Sequence, residues 1–127
     1  MLNINFHPFQ NIETDRLLLR RLNESDLEEI IELRGNAETM RFIPRPLVTN
    51  NEEAMAFLKI IDDNVENNIA INWAITIKGT DKMIGIAGIY RIQPENYRGE
   101  IGYMIMPQYH NKGYVTEAAK AITDFGF

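Results

Sequence analysis

The sequence of 127 residues contains no cysteine. Disulfide bonds, thiolate zinc sites and cysteine nucleophiles are therefore excluded as sources of stability or chemistry. No hydrophobic run is long enough to cross a bilayer, and residues 1–10 lack the basic start and apolar stretch of a signal peptide. We therefore expect the protein to be cytoplasmic.

Positive charge is also scarce. Thirteen lysine and arginine residues stand against eighteen aspartate and glutamate residues, which gives a formal charge of −5. A chain with this balance has no general electrostatic reason to bind nucleic acid or an anionic membrane. Arg16, Arg20 and Arg21 lie close together in the sequence, and we expect them to be solvated on an edge strand.

The composition is that of a globular domain, with 45% hydrophobic and 24% charged residues. A chain of this length has room for one domain, which we expect to span residues 1–127. Residues 1–13 have a mixed composition and are expected to form a loose arm. Residues 37–42 are expected to form a short turn, after which Pro44 and Pro46 break the chain.

Hydrophobic periodicity and capping residues divide the chain into seven elements. Two helices begin with capping boxes, Ser25 with Glu28 and Thr49 with Glu52, and the first is expected to end at Gly35. The predicted order is β-α-α-β-β-β-α, with strands at residues 16–22, 72–77, 83–92 and 100–106 and a last helix at 115–125. This order predicts an α/β (α+β) domain with a central, mostly antiparallel mixed sheet flanked by helices.

The most informative chemistry lies where the last predicted strand meets the last helix, at His110-Asn111-Lys112-Gly113-Tyr114-Val115-Thr116-Glu117. The free N–H groups and the macrodipole of a helix start favour an anion. Gly113 lets the backbone approach that anion closely, and Asn111 can adopt a left-handed conformation. Lys112 and Thr116 add side-chain donors, so a diphosphate would fit. An ordinary strand-to-helix turn with a surface lysine explains these residues equally well.

Three segments resemble the GNAT superfamily of N-acetyltransferases, and within it the RimJ and RimL branch of ribosomal-protein N-terminal acetyltransferases. These segments are Glu13–Arg20 (ETDRLLLR), Glu100–Pro107 (EIGYMIMP) and Gly113–Ala118 (GYVTEA). Three matches in the correct order are more specific than any one of them. The resemblance implies a GNAT-like fold and acetyl-CoA as co-substrate, with no metal.

By this resemblance, the coenzyme motif (Gln/Arg)-x-x-Gly-x-(Gly/Ala) of the family falls on residues 110–115. Gly113 matches, whereas His110 and Val115 depart from the motif, and the methyl groups of Val115 are expected to weaken or shift coenzyme binding. The strand before the turn is expected to line the pantetheine arm, although its residues could equally be core positions. The implied coenzyme-binding residues are Met104, Ile105, Met106, His110, Asn111, Lys112, Gly113, Tyr114, Val115 and Thr116.

Acetyl transfer requires a neutral amine to attack a thioester carbonyl, so a general base assists the reaction. Glu100 is the predicted base, acting directly or through water, because the resemblance places it at the start of the strand beside the coenzyme. A solvent-facing carboxylate explains Glu100 nearly as well. Glu117 is interpreted as structural, since the macrodipole favours a carboxylate in the first turn of a helix. Tyr103 and Trp73 are expected in the core.

The acceptor is predicted to be a primary amine on a protein N-terminus or a small molecule. By resemblance, residues 41–48 form a wall of its groove. The family continues past the position of Phe127, so we expect an incomplete domain whose strand 100–106 has an unpaired edge. A strand from a second chain would complete that edge and form a homodimer. Two interpretations stay open: an acetyl-CoA-dependent enzyme, and a non-catalytic fragment that binds coenzyme or mediates association.

Overall fold

The computed structural model describes residues 9–36, 40, 47–67, 70–93 and 98–126, and only the backbone of residues 90–93, 98–100 and 126. The described strands are β1 Ile12–Glu13, β2 Leu17–Arg20, β3 Ile71–Ile77, β4 Met83–Gln93 and β5 Arg98–Ile105. The described helices are α1 Leu27–Arg34, α2 Asn51–Glu66 and α3 Tyr114–Gly126, with short 3₁₀ turns at Glu24–Asp26 and Pro107–Tyr109. None of these helices is long and apolar enough to span a membrane.

The described strands form one antiparallel sheet in the order β1-β2-β3-β4-β5. Each strand pairs with the next one along the chain, and α1 and α2 lie in the connection between β2 and β3. Strands β4 and β5 pair from Gly85–Ile105 to Tyr90–Glu100, with an irregularity before the pair Gln93–Arg98. An antiparallel sheet flanked by helices confirms the predicted fold class.

Helices cover both faces of the sheet. Successive side chains of a strand point to opposite faces, so neighbouring residues of β3 pack under different helices. On β3, Trp73 belongs to the core cluster under α3, where its ring meets the ring of Phe125 edge-on at 5.2 Å between centroids. The neighbouring residue Ala74 belongs to the opposite cluster, with Ile30 of α1 and Leu58 of α2. The sheet is therefore sandwiched between α3 on one side and α1 with α2 on the other.

Two helix starts differ by one or two residues from the predicted capping boxes. Asn23 caps the turn before α1 in place of Ser25, and its side chain accepts a hydrogen bond from the Ser25 N–H at 2.9 Å. Asn50 caps α2 in place of Thr49, and its side chain accepts from the Glu53 N–H at 2.8 Å. Asparagine is at least as good an N-cap as serine or threonine, so the sequence offered two possible N-cap residues at each helix start.

Part of the predicted loose arm belongs to the sheet, which corrects that expectation. Residues 12 and 13 form β1 and pair with β2. Just before them, the Gln10 carbonyl accepts a hydrogen bond from the indole Nε1–H of Trp73 at 2.9 Å. Strand β2 is therefore an inner strand between β1 and β3 rather than an edge strand. Helix α1 ends at Gly35, as predicted.

The three N-terminal arginines are paired with carboxylates, whereas the sequence predicted them to be solvated. Arg20 is 8% exposed, and its guanidinium group contacts Asp26 at 2.7 and 2.9 Å and Asp81 at 3.0 Å. Arg21 contacts carboxylates of α2, and Arg16 contacts a carboxylate of α3. These residues therefore form no basic patch for an anionic surface.

Candidate functional site

A tight turn over residues 110–113 leads from the 3₁₀ turn after β5 into α3. Asn111 has a φ of 62° and Gly113 a φ of 80°. Both values lie in the left-handed region, which glycine adopts freely and asparagine tolerates better than most residues. The predicted conformation of Asn111 is thus observed.

The start of α3 leaves backbone donors without partners inside the helix. Its first helical hydrogen bond runs from the Glu117 N–H to the Gly113 carbonyl at 3.0 Å. The N–H groups of Tyr114, Val115 and Thr116 precede this bond, so they have no carbonyl to which they can donate within the helix. Free N–H groups and the positive end of the helix dipole together favour an anion at this position.

A cavity of about 330 Å³ opens beside the turn. Its lining combines the turn and the first residues of α3 with side chains that lead back to β5: Tyr103, Ile105, Tyr109, His110, Asn111, Gly113, Tyr114, Val115 and Thr116. Seven of the ten predicted coenzyme-binding residues therefore line one cavity. The three that do not are Met104, Lys112 and Met106.

Some backbone N–H and C=O groups of β5 point away from β4, towards the edge of the sheet beside the cavity. The Met106 N–H donates to the Ile84 carbonyl at 2.9 Å, so this residue is hydrogen-bonded to the β4 side. Because bonded and non-bonded pairs alternate in an antiparallel ladder, the N–H and C=O groups of Tyr103 and Ile105 point away from β4. Among the described strands, none pairs with that edge of β5.

The imidazole of His110 connects the turn to β5. Its Nε2 atom lies 3.2 Å from the Ile105 carbonyl oxygen. A carbonyl can only accept, so Nε2 carries the proton in this hydrogen bond. The ring therefore holds the turn against the end of the strand while it also lines the cavity. Its predicted contact with a coenzyme stays a prediction.

The residues just before β2 hold the turn from the other side. Glu117 accepts hydrogen bonds from the Thr14 hydroxyl, from the Arg16 N–H at 3.0 Å and from Arg16 Nε at 2.7 Å. Arg16 Nη1 in turn donates to the Lys112 carbonyl at 2.9 Å, and the guanidinium lies 4.6 Å from the centre of the Tyr114 ring. Sequence reasoning missed these contacts, because the partners of Glu117 lie about a hundred positions away in the chain.

The hydrogen bonds from Thr14 and from the Arg16 backbone and side chain lower the pKa of Glu117 below its usual value of 4.5. A carboxylate with a depressed pKa in the folded state stabilises the fold above its unfolded pKa, and that stabilisation is lost as the pH falls through the folded pKa. We therefore expect the free energy of unfolding to decrease below about pH 4.5. Urea denaturation of the Glu117→Gln variant should show a weaker acid dependence, and an unchanged acid dependence would contradict this assignment.

The remaining predictions concern the burial of two aromatic residues, the position of Glu100 and the residues of the acceptor wall. Trp73 is fully buried, as predicted. Tyr103 is 56% exposed and lines the cavity, so the expectation that it lies in the core is wrong. Glu100 belongs to β5 and pairs with Tyr90, but its side chain lies outside the described part of the structure. Residues 41–46 of the predicted acceptor wall, and all of the 37–42 turn except Met40, also lie outside it.

A second cleft of about 510 Å³ lies on the opposite face of the sheet. Most of its lining residues are apolar and about half come from α2, and Arg34, Leu47, Val48, Asn72 and Met104 supply the rest. Met104 and Ile105 are consecutive residues of β5, so the two cavities lie on the two sides of one strand. No group of three or more histidines and carboxylates that could hold a metal occurs among the described residues.

An antiparallel sheet whose last described strand leads through a tight turn into a helix matches the class of domain that the sequence resemblance implied. Residues 16–127 match the family model of the acetyltransferase (GNAT) domain. The chain belongs to this family.

Individual relatives support the same assignment. YnaD of Bacillus subtilis, described as an uncharacterized N-acetyltransferase, is 35% identical over 118 residues, which cover 92% of this chain and 65% of YnaD. The spermidine N(1)-acetyltransferase of Escherichia coli K12 is 30% identical over 86% of this chain and 56% of the enzyme. This chain therefore spans less than two thirds of the length of either relative.

A solved structure shares the fold. RimL, a ribosomal L7/L12 alpha-N-protein acetyltransferase solved in complex with coenzyme A, superimposes with a TM-score of 0.75 at 20% identity. The match covers 91% of this chain and 67% of the RimL chain. At this level of identity the comparison establishes the fold alone.

Proposed function

We propose that this chain forms the coenzyme-binding part of an N-acetyltransferase that transfers an acetyl group from acetyl-CoA to a primary amine. The observation that carries this proposal is the turn with Asn111 and Gly113 in left-handed conformations, next to free helix N–H groups and a cavity. Membership of the GNAT family supports the choice of coenzyme A over other diphosphates.

In this proposal the diphosphate is bound by the N–H groups of Gly113, Tyr114, Val115 and Thr116. The pantetheine arm extends along the open edge of β5, where the N–H and C=O groups of Tyr103 and the N–H group of Ile105 can pair with its two amides, since the Ile105 carbonyl already accepts from His110. Met106 is excluded from that pairing because its N–H already donates to Ile84. Lys112 is exposed and lies outside the cavity lining, so its side chain contributes long-range charge.

The acceptor amine is proposed to enter from the cleft of about 510 Å³ on the other face of the sheet. The amine nitrogen bonds to the thioester carbonyl carbon, the carbon–sulfur bond breaks, and the thiolate of coenzyme A leaves as a thiol after it gains a proton. Two sites on opposite faces of β5 allow both substrates to be bound together, which supports direct attack within a ternary complex. Relatives act on spermidine or on a ribosomal-protein N-terminus, as their names state.

Glu100 is proposed as the general base that takes the amine proton. We expect Glu100→Gln to lower the turnover number by about 10²- to 10⁴-fold, with little change in coenzyme affinity. Release of the coenzyme A thiol, measured with spermidine and with a peptide that has a free N-terminus, tests both acceptor classes. The control is Glu28→Gln, which removes an exposed carboxylate of α1 that lines neither cavity.

The possible results separate the proposals. Unchanged turnover of Glu100→Gln would remove Glu100 from the role of base. Coenzyme binding without turnover of any amine in the unmodified chain would favour the non-catalytic alternative. Turnover of the peptide but not of spermidine, or the reverse, would identify the acceptor class.

A further inference from the structure

We infer that Arg16 and Glu117 are positioning residues for coenzyme binding, because together they fix the orientation of the peptide unit between Lys112 and Gly113. This inference rests on the proposed function, since the ligand concerned is the diphosphate of coenzyme A. Neither residue lines the cavity, so the two act through the backbone of the turn rather than by contact with the ligand.

The orientation of one peptide unit carries the argument. Arg16 Nη1 donates to the Lys112 carbonyl oxygen at 2.9 Å. In a trans peptide unit the C=O and the following N–H point in opposite directions. The Gly113 N–H is therefore directed away from Arg16. Gly113 lines the cavity whereas Arg16 and Lys112 do not. The cavity therefore lies on the side of the turn opposite Arg16, and the Gly113 N–H points towards it.

Arg16 also lies beside the two residues that follow Lys112. Its guanidinium lies 4.6 Å from the centre of the Tyr114 ring, and a Cβ atom placed on Gly113 would lie 3.2 Å from Arg16 Nη2. One side chain thus binds the Lys112 carbonyl, lies beside Gly113 and contacts the ring of Tyr114. Such support matters because the left-handed conformation of Asn111 is unfavourable for a residue other than glycine.

Glu117 fixes Arg16 in turn. The Arg16 side chain is 46% exposed, and a long exposed side chain without partners samples many rotamers. Glu117 binds the Nε atom and the backbone N–H of Arg16, while Thr14 donates to the same carboxylate. The carboxylate therefore selects the single arrangement in which Nη1 reaches the Lys112 carbonyl.

Positioning and simple charge make opposite predictions for Glu117. A carboxylate near a bound diphosphate repels it, so by Coulomb's law alone its removal should tighten coenzyme binding. If Glu117 positions the turn, its removal should weaken binding. Glu117→Gln is the informative variant, because an amide nitrogen cannot accept the hydrogen bonds that two carboxylate oxygens accept here.

The test is isothermal titration of the full chain with coenzyme A. We expect about tenfold weaker binding for Glu117→Gln, the effect of one lost charge-assisted hydrogen bond. The matched control is Asp124→Asn, which removes a carboxylate from the last turns of the same helix, and it should bind like the unmodified chain. Arg16→Lys retains the charge but cannot reach Glu117 and Lys112 together, so it should also bind about tenfold more weakly.

Two further measurements distinguish a general loss of stability from a local change in the turn. Thermal unfolding measures the stability of each variant, and the amide chemical shift of Gly113 in the free protein reports the reorientation of the peptide unit. Equal or tighter binding by Glu117→Gln, with the unmodified chain binding normally, would overturn this inference and leave the proposed function intact. If Glu117→Gln does not fold, Arg16→Lys decides in the same way. An unmodified chain that binds no coenzyme A would overturn the proposed function itself.

Discussion

Replacement of Asp26 by alanine is expected to lower the free energy of unfolding by about 3–5 kcal/mol. Asp26 is buried and binds the buried Arg20 guanidinium through both carboxylate oxygens, at 2.7 and 2.9 Å. Its removal leaves a positive charge inside the protein, and the exposed Asp81 carboxylate is then the only negatively charged partner of Arg20 among the described residues. It also removes the acceptor of the Asn23 N–H, so the turn before α1 loses a cap. Urea denaturation measures the change.

The control for this prediction is a surface ion pair of the same type. Arg21 contacts Asp62 at 3.2 Å, and both side chains are well exposed. Asp62→Ala should therefore cost less than about 1 kcal/mol. Replacing both buried partners, as Arg20→Met with Asp26→Leu, should recover much of the loss, because no charge is then left unpaired. If Asp26→Ala and Asp62→Ala lowered the free energy of unfolding equally, the buried pair would contribute no more to stability than the surface pair.

Gly113→Val is expected to weaken coenzyme A binding by about 10- to 100-fold, the loss of one or more hydrogen bonds to a charged ligand. The φ of 80° at Gly113 is strained for any residue with a Cβ atom, and most of all for a β-branched one. The turn would leave the left-handed region, and the N–H groups at the start of α3 would no longer converge. Isothermal titration with coenzyme A measures the change.

Gly79 provides a matched control for the backbone effect. It has a φ of 92° in the turn between β3 and β4, and a Cβ atom placed there would meet nothing within 4 Å. Gly79→Val should carry a similar backbone cost, of about 1–2 kcal/mol, without any change in coenzyme affinity. If both variants bind coenzyme A equally well, the turn at Gly113 is not the binding site.

Most elements of the fold could be predicted because their signals are local. In α2, apolar residues recur at helical spacing: Ala54, Leu58, Ile61 and Val65 are buried, and Phe57 is partly buried. The strands β3, β4 and β5 lie within two residues of their predicted bounds. In each case the prediction of an element depends on several neighbouring residues, so one ambiguous residue does not change it.

The features that escaped prediction depend on distant partners. Strand β1 has only two residues, which is too short for periodicity to show, and it exists because β2 offers a partner. The burial of Arg20 depends on the fold, which places both Asp26 and the distant Asp81 against its guanidinium group. Alternation along β5 could not tell which face is covered, so Tyr103 was expected in the core.

The candidate site was predictable in part for the same reason. Asn111 and Gly113 carry a local signal for a turn with left-handed residues, and the structure has it. The contacts of Arg16 with Lys112 and of Thr14 with Glu117 join segments about a hundred residues apart. Only the folded chain brings these two segments together.

The proposed function depends most on the binding of the coenzyme A diphosphate by the turn at residues 110–113 and the start of α3. Backbone amide chemical shifts, recorded during titration with coenzyme A and separately with pantetheine, test it most directly, because pantetheine lacks the diphosphate. The amides of Gly113, Tyr114, Val115 and Thr116 should shift with coenzyme A and stay in place with pantetheine. Unchanged amide shifts at these four residues with coenzyme A, or equal shifts of them with both ligands, would contradict the claim.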